Sequence, residues 1–303
     1  MDADLMRLAD DGNPNHPPEA KPLVIYHGGG CFDGFCCAWL FHRAMPDADL
    51  LPAKHGDPAP DVTGRRVYLA DFTYPRAAMI EMVRQCRGRL VVLDHHRTAM
   101  LDLVNLHAAV PREELDEVPQ VHFDMNKSGG RLVWEFLHGD KPSPALVDYT
   151  EDRDLWRWAL RDSREINAAL RSYPMDFAVW DDFHENTPSH EVFAAEGRAI
   201  LRRENQVVEQ HVRHAKPVAI AGYTVPAVNA TILESEIGNA LCQGQPFAAM
   251  WIDMGDGRRK WSLRSDDNGL DVSEIARQFG GGGHARAAGY TERLDASGQH
   301  PAA

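Results

Sequence analysis

The chain has no long hydrophobic run, no CxxC pair, no internal repeat and no excess of positive charge, and each absence removes a class of protein. None of its apolar stretches approaches the roughly 20 residues that a membrane-crossing helix needs. The cysteines Cys31, Cys36, Cys37, Cys86 and Cys242 are five in number and form no CxxC. An odd count without that spacing argues against a disulfide framework or a zinc ribbon and fits a reducing cytoplasm. Lysine and arginine number 32 against 45 acidic residues, a net charge of −13, which disfavours a protein that coats long nucleic acid and leaves room for bound cations. The opening stretch "MDADLMRLADDGNPNHPPEAKP" is too acidic and polar for a secretory signal. Residues 1–21 are expected to form a flexible leader and residues 294–303 a frayed tail.

What is present suffices for two domains, because 303 residues with 44% apolar content can build two separate cores. Three short β-type runs each end on a polar residue able to do chemistry: "LVIY" before His27, "RVYLA" before Asp71, and "RLVVL" before Asp94. Helical stretches lie between them, "GFCCAWLFHRAM" after the first and "YPRAAMIEMVRQCR" after the second, the latter with Thr73 as N-cap and Pro75 near its first turn. Alternating strand and helix predicts an α/β domain with an open parallel sheet, whose ligands gather at the carboxyl ends of the strands. His27, Asp71 and Asp94 should then converge.

The middle of the chain reads as helices: "SGGRLVWEFLHG" capped by Ser128, then "PALVDYTEDRDLWRWAL", "SREINAALRSY" and "DFAVWDDFHEN". A longer segment from Pro188 places Val192, Ala195, Ala199 and Val208 near one face and is expected to be a connecting helix. Hairpins follow, turning at Gly222 and at Asp256-Gly257, with helices over "SEIGNALCQG" and over "DVSEIARQF", where Asp271 and Glu274 are spaced as a capping pair. The expected division is a catalytic domain over 22–187, a linker helix over 188–215 and a smaller α/β substrate-binding domain over 216–293.

His27, Cys31 and Asp33 share the loop "HGGGCFDG", where imidazole and carboxylate together suit Mn²⁺ or a related divalent ion. The glycines lack the order of a phosphate loop, since no G-K-[ST] follows and Phe32 stands where something small is wanted. Asp94, His95 and His96 follow an apolar strand directly; one histidine can hold a metal, the other can reach a phosphate, and the aspartate can orient a ring. "DYTEDRDLWRW" offers a further acid, Asp152 or Asp154, although such a run also suits a solvated helix face. Together these residues form the inventory of a binuclear site with Asp71 as its natural bridge. Two cations about 4 Å apart supply activated water and neutralise charge on a phosphoryl group.

At "LDHH" the order of motifs, "HGGGCFDG", "ADFTYP", "LDHH", "EDRDLW" and "GGGGHARAAG", resembles the DHH phosphoesterase superfamily in its branch with a C-terminal DHHA-type domain. The resemblance runs from Leu23 to Tyr290 and implies an Mn²⁺-dependent phosphohydrolase of the nanoRNase and RecJ-like kind. By position it implies that His27 and Asp71 hold one metal, that Asp33, Asp71, His95 and Asp152 hold the other, and that His96 contacts the scissile phosphate beside Asp94. Arg264, Gly282, Gly283 and His284 correspond to substrate-phosphate contacts. "HARAAG" is expected to start a helix whose N-terminus attracts anions. Many members carry aspartate where this chain has Cys31, so the identity and occupancy of the first metal turn on whether the thiol is a ligand.

The expected substrate is a short oligonucleotide or small nucleotide, with neither long nucleic acid nor membrane as partner; the reading also admits a homodimer. Polyphosphate or nucleoside-polyphosphate hydrolysis is the rival within the enzyme class, and a ligand-binding regulator whose site decayed at Cys31 is the rival outside it. Replacing Asp33 or His95 by alanine should abolish hydrolysis and leave the fold largely intact.

Overall fold

A computed structural model describes residues 20–185 and 190–294, so most of the expected leader, the Pro188 start of the long helix and all but one residue of the tail lie outside the described residues. The chain divides after Arg198 into two compact units.

In the first unit the three apolar runs become β1 (Ala20–His27), β3 (Arg65–Ala70) and β4 (Leu90–Asp94). Two strands not expected from the sequence, β2 (Asp49–Ala53) and β5 (Gln120–Phe123), flank them in the order β2-β1-β3-β4-β5, with every pairing parallel. The strands alternate inside this sheet. Val24, Tyr68, Val91 and Leu93 face one core, which contains Trp39 and Trp180, whereas Leu23, Ile25, Val67, Leu69, Leu90 and Val92 face another with Met79, Met82 and Val83. Both faces are therefore covered, and all five residues of β4 are buried, as a parallel sheet requires.

Helix α1 (Phe32–Ala44) follows β1 and α2 (Arg76–Gln85) follows β3. Thr73 is not the cap of α2. The helix begins after Pro75, and the first N–H, that of Arg76, is taken from outside by Asp102 Oδ2 at 2.8 Å. The short α3 (Arg97–Asp102) follows β4. Ser128 does cap α4 (Gly129–His138), its hydroxyl accepting from Arg131 N at 3.2 Å. Helix α5 (Ala145–Asp154) stops earlier than its apolar pattern suggested, because the chain reverses through Trp156 and Trp158, both with φ near +55°. α6 (Ser163–Ser172) and α7 (Phe177–Glu185) complete the layer.

The long helix is α8 (His190–His214), but its buried stripe is Phe193, Ala194 and Gly197, not the one read from the sequence. Val192 is 60% exposed. Phe193 packs edge-on to Phe183 at 5.0 Å between ring centroids, and that aromatic contact sets the helix's rotation in place of the weaker alanine-valine stripe.

The second unit is a mixed six-stranded sheet ordered β10-β11-β9-β8-β7-β6. β6 (Lys216–Ile220) and β7 (Tyr223–Asn229) form one expected hairpin, and β8 (Ala248–Met254) and β9 (Arg258–Arg264) the other; β7 and β8 run parallel. α9 (Glu234–Leu241) and α10 (Val272–Gln278) are helices, the latter capped by Asp271 Oδ1 accepting from Ser273 N at 3.0 Å. The helix expected over "HARAAG" is absent. Gly282–Gly283 form β10 and Ala287–Arg293 form β11, paired antiparallel with Gly282 opposite Gly289 and Gly283 opposite Ala288. His284 N donates to Ala287 O at 2.8 Å and closes a tight turn. Small residues on both strands allow this close pairing, and β11 continues the sheet against β9, a gain no isolated helix there would make.

Candidate metal centre

The first unit gathers its polar side chains where β1, β3 and β4 end. Three of them come from "HGGGCFDG". The loop is tight: a Cβ on Gly34 would lie 2.1 Å from His27 O, so only glycine lets α1 start this close to the end of β1. Cys31 is the N-cap of α1, its sulfur accepting from Gly34 N at 3.5 Å while its S–H points to Asp71 Oδ2 at 3.3 Å. Asp33, on the first turn, is 1% exposed.

Asp71 is the hub. It follows β3 with φ +56°, a left-handed conformation that aspartate tolerates better than most residues. His95 Nε2 lies 3.1 Å from its Oδ1, His27 Nδ1 3.5 Å from its Oδ2, and His96 Nδ1 3.8 Å from its Oδ1. His95 Nε2 is also 3.8 Å from Asp33 Oδ2 and 3.5 Å from Asp154 Oδ2. Ligand-capable atoms of His27, Cys31 and Asp71 fall within 4.8 Å of one another, as do those of Asp33, Asp71 and His95.

Asp94 belongs to a different layer. Its Oδ1 accepts from His95 N at 2.7 Å and from His96 N at 3.2 Å, and lies 2.7 Å from His96 Nδ1, so it fixes the DHH turn and orients the ring of His96. Asp152, expected from the family order to be a ligand, instead accepts from Ala159 N at 2.9 Å and Leu160 N at 3.3 Å. The acid of "EDRDLW" that reaches the cluster is Asp154, on the last turn of α5. An interval of two residues on a helix rotates a side chain by about 200°, so only one of the pair can face the site.

Two residues that the sequence reading passed over, Gly129 and Gly130, also shape the site. Gly129 N donates to Asp33 Oδ2 at 2.6 Å and Gly130 N to Asp33 Oδ1 at 3.0 Å, which sets the positive end of α4 against this carboxylate. A Cβ on Gly129 would meet Asp71 Cβ at 2.6 Å and Asp33 Oδ2 at 2.9 Å. The "SGG" triplet after a strand was the available signal.

Burial and crowding of like charges raise the Asp33 carboxyl well above the usual range, and burial raises Asp154 as well. Burial works against a charged His95, yet the carboxylates of Asp154, Asp71 and Asp33 outweigh it and raise the ring well above its ordinary value. Burial alone would raise Asp71, but the imidazoles of His27, His95 and His96 hold it well below. Burial, then the charge of Asp71, Asp154 and Asp33, keeps the Cys31 thiol protonated far above its normal range.

The donor set fits divalent cations. Three carboxylates, two of them from fully buried residues, converge on one buried imidazole, and the atoms His27 Nδ1 and Asp154 Oδ2 are buried with no hydrogen-bond partner among the described residues. Such electron-pair donors find their natural partner in a metal ion.

In the second unit, Arg264 lies on β9, with Nη2 donating to Ser235 Oγ at 3.0 Å and Nη1 to Leu263 O at 2.9 Å. Gly282, Gly283 and His284 lie on β10 and in its turn.

The chain resembles known proteins in sequence and in fold. Residues 227–296 match the DHHA1 domain. The chain is 26% identical over 300 residues to an uncharacterised protein of Acanthamoeba polyphaga mimivirus, covering 88% of this chain and 66% of that protein. It is 29% identical over 221 residues to oligoribonuclease NrnB of Bacillus subtilis (strain 168), covering 67% of this chain and 52% of that protein. The chain thus spans between about half and just under two-thirds of these relatives. RecJ of Thermus thermophilus in complex with Mn²⁺ shares the fold, with a TM-score of 0.50 at 15% identity over 97% of this chain and 51% of that one. Residues 227–296 are therefore similar to a DHHA1 domain, and the fold of the chain is that of the RecJ structure. Among the described residues no helix is long and apolar enough to cross a membrane.

Proposed function

We propose that this chain is a divalent-metal-dependent phosphohydrolase that cleaves a phosphoester of a short oligonucleotide or small nucleotide. The observation that carries the reading is the convergence of Asp33, Asp71 and Asp154 on buried His95, with His27 and Cys31 beside Asp71. His27, Cys31 and Asp71 would hold one cation, and Asp33, Asp71, His95 and Asp154 the other. The Mn²⁺ of the RecJ relative supports that ion, and the resemblance to an oligoribonuclease supports the substrate class. The free cysteines suit a cytoplasmic setting.

Bound there, a pair of divalent cations would lower the pKa of water and offset the charge of a phosphoryl group. The chain's own residues do the rest. Burial opposes a charged His96, but Asp94 outweighs it and favours the protonated ring. Nδ1–H then donates to Asp94, which leaves Nε2–H to donate to a phosphoryl oxygen as charge builds. On the second unit, Arg264, Gly282, Gly283 and His284 are assigned to substrate phosphate, now as groups of a strand and a hairpin turn and not of a helix end.

The test is a turnover screen over short RNA, linear dinucleotides, a nucleoside 3′,5′-bisphosphate and polyphosphate with Mn²⁺, Co²⁺ or Zn²⁺. Turnover of the oligonucleotides or nucleotides, lost in Asp154→Asn and retained in Asp152→Asn, is the expected result. Cleavage of polyphosphate alone would replace the substrate class, and ligand binding with no turnover under any metal would sink the enzymatic reading.

A further inference from the structure

Helix α5 carries an acidic row of which the cation cluster uses only the last member. Asp148, Glu151 and Asp154 follow one another at intervals of three and so lie along one side of the helix, whereas Asp152 stands about 100° round from Glu151. Asp154 Oδ2 reaches His95 Nε2 at 3.5 Å. The other two acids turn to Arg131 on α4, whose Nη2 donates to Asp148 Oδ1 at 2.6 Å and whose Nε donates to Glu151 Oε2 at 3.0 Å. One guanidinium thus grips two successive rungs of α5, which fixes the rotation of that helix about its own axis.

Glu151 also reaches the start of α4. Its Oε1 accepts from Ser128 N at 3.4 Å, next in the chain to Gly129 and Gly130, whose N–H groups hold the two oxygens of Asp33. One carboxylate therefore ties the helix turn that grips Asp33 to the helix that ends on Asp154, two of the acids that face His95. Burial argues against a purely stabilising role. Glu151 is 8% exposed and the Arg131 side chain 19%; taking such charges out of water costs about as much as their attraction returns, and a packed apolar pair of similar volume is often as stable. What the pair supplies is geometry, because its hydrogen bonds accept only one register of the two helices.

Resting on the phosphohydrolase reading, we infer that Glu151 and Arg131 are positioning residues for the cation site of Asp33, Asp71, His95 and Asp154. They lock the register between α4 and α5 and so set the spacing of Asp33 and Asp154, without touching cation or substrate themselves. The site of His27, Cys31 and Asp71 draws no ligand from α4 or α5 and is independent of them.

The experiment is calorimetric titration of the full chain with Mn²⁺, alongside urea unfolding of the cation-free protein, for the wild type and for the double variant Arg131→Met with Glu151→Met. The wild type should show two binding events. Paired methionines keep the bulk and remove both charges, and Asp148, its side chain 39% exposed, is left to water, so the urea midpoint should stay near that of the wild type. One Mn²⁺ event should weaken by about 10- to 100-fold, the loss that follows removal of an outer partner, while the other keeps its affinity. If the double variant does not fold, Glu151→Gln keeps an acceptor for Ser128 N, loses the charge facing Arg131, and should weaken the same event by a smaller factor. Two events of wild-type strength in a folded variant, or both weakened alike, would overturn the assignment and leave the pair a structural tie. A wild-type chain that takes up no Mn²⁺ would sink the metal-dependent reading itself and this assignment with it, a failure seen before any variant is compared.

Discussion

His95 Nε2 lies 3.1 Å from Asp71 Oδ1, and both side chains are almost wholly buried. With His27 and Cys31 on the other carboxylate oxygen, Asp71 is the one residue shared by both candidate cation sites. Asp71→Asn keeps the shape and removes the charge, so turnover should fall by more than the roughly 10- to 100-fold that follows loss of an outer partner. Metal stoichiometry by calorimetry should fall with it, and an unchanged stoichiometry would remove Asp71 from its bridging role.

Burial, then the charges of Asp71, Asp154 and Asp33, favours the protonated thiol of Cys31, and its sulfur faces Asp71. A bound metal should displace that proton and take the thiolate. Titration with Co²⁺ is expected to raise a sulfur-to-metal charge-transfer band in the near ultraviolet that Cys31→Ser lacks. A band of equal strength in both proteins would show that Cys31 caps α1 and nothing more.

Protons should leave as metal enters. Asp33, Asp154 and His95 all have raised pKa values, so at a given pH each holds more proton than it would in water, and a cation must compete for those sites. Apparent affinity should therefore weaken as pH falls and strengthen as it rises through these groups. Binding heats measured in buffers of different ionisation enthalpy should differ by the protons released; identical heats would mean that the cluster binds metal already deprotonated.

Gly129→Ala sets two effects against each other. Helix propensity favours alanine by about 1 kcal/mol. Against it, the new methyl would stand 2.6 Å from Asp71 Cβ, and overpacking of this kind costs about 1–3 kcal/mol. The clash should prevail, lowering the urea midpoint and weakening metal binding together. A stabilised variant with full metal affinity would mean that α4 can shift away from the site.

Much of this was legible because apolar strands that stop abruptly on polar residues advertise both a parallel sheet and its functional edge. β1, β3 and β4 were read this way, and so was the convergence of His27, Asp71 and Asp94. β2 was not, since "DLLPA" contains a proline that only an edge position tolerates, and β5, "QVHF", has four residues and little apolar character. Asp152 and Asp154 could not be told apart without knowing where α5 ends and how the chain reverses after it. "GGGGHARAAG" was misread because helix propensity in "ARAA" is local, whereas the decision rested with β9, which offers β11 a full ladder from Ala287 to Arg293.

Asp33 also alters what its own removal can teach. Both of its oxygens accept from the first N–H groups of α4, some 96 residues further along the chain. Alanine there would delete a ligand and at the same time strand two buried donors, so an inactive Asp33→Ala protein would be as much a wounded scaffold as a silenced catalyst. The carboxylate is rivet and tool in one, and a substitution at this position answers to both demands together, while Asp154, whose Oδ2 has no hydrogen-bond partner among the described residues, can be questioned more directly about chemistry.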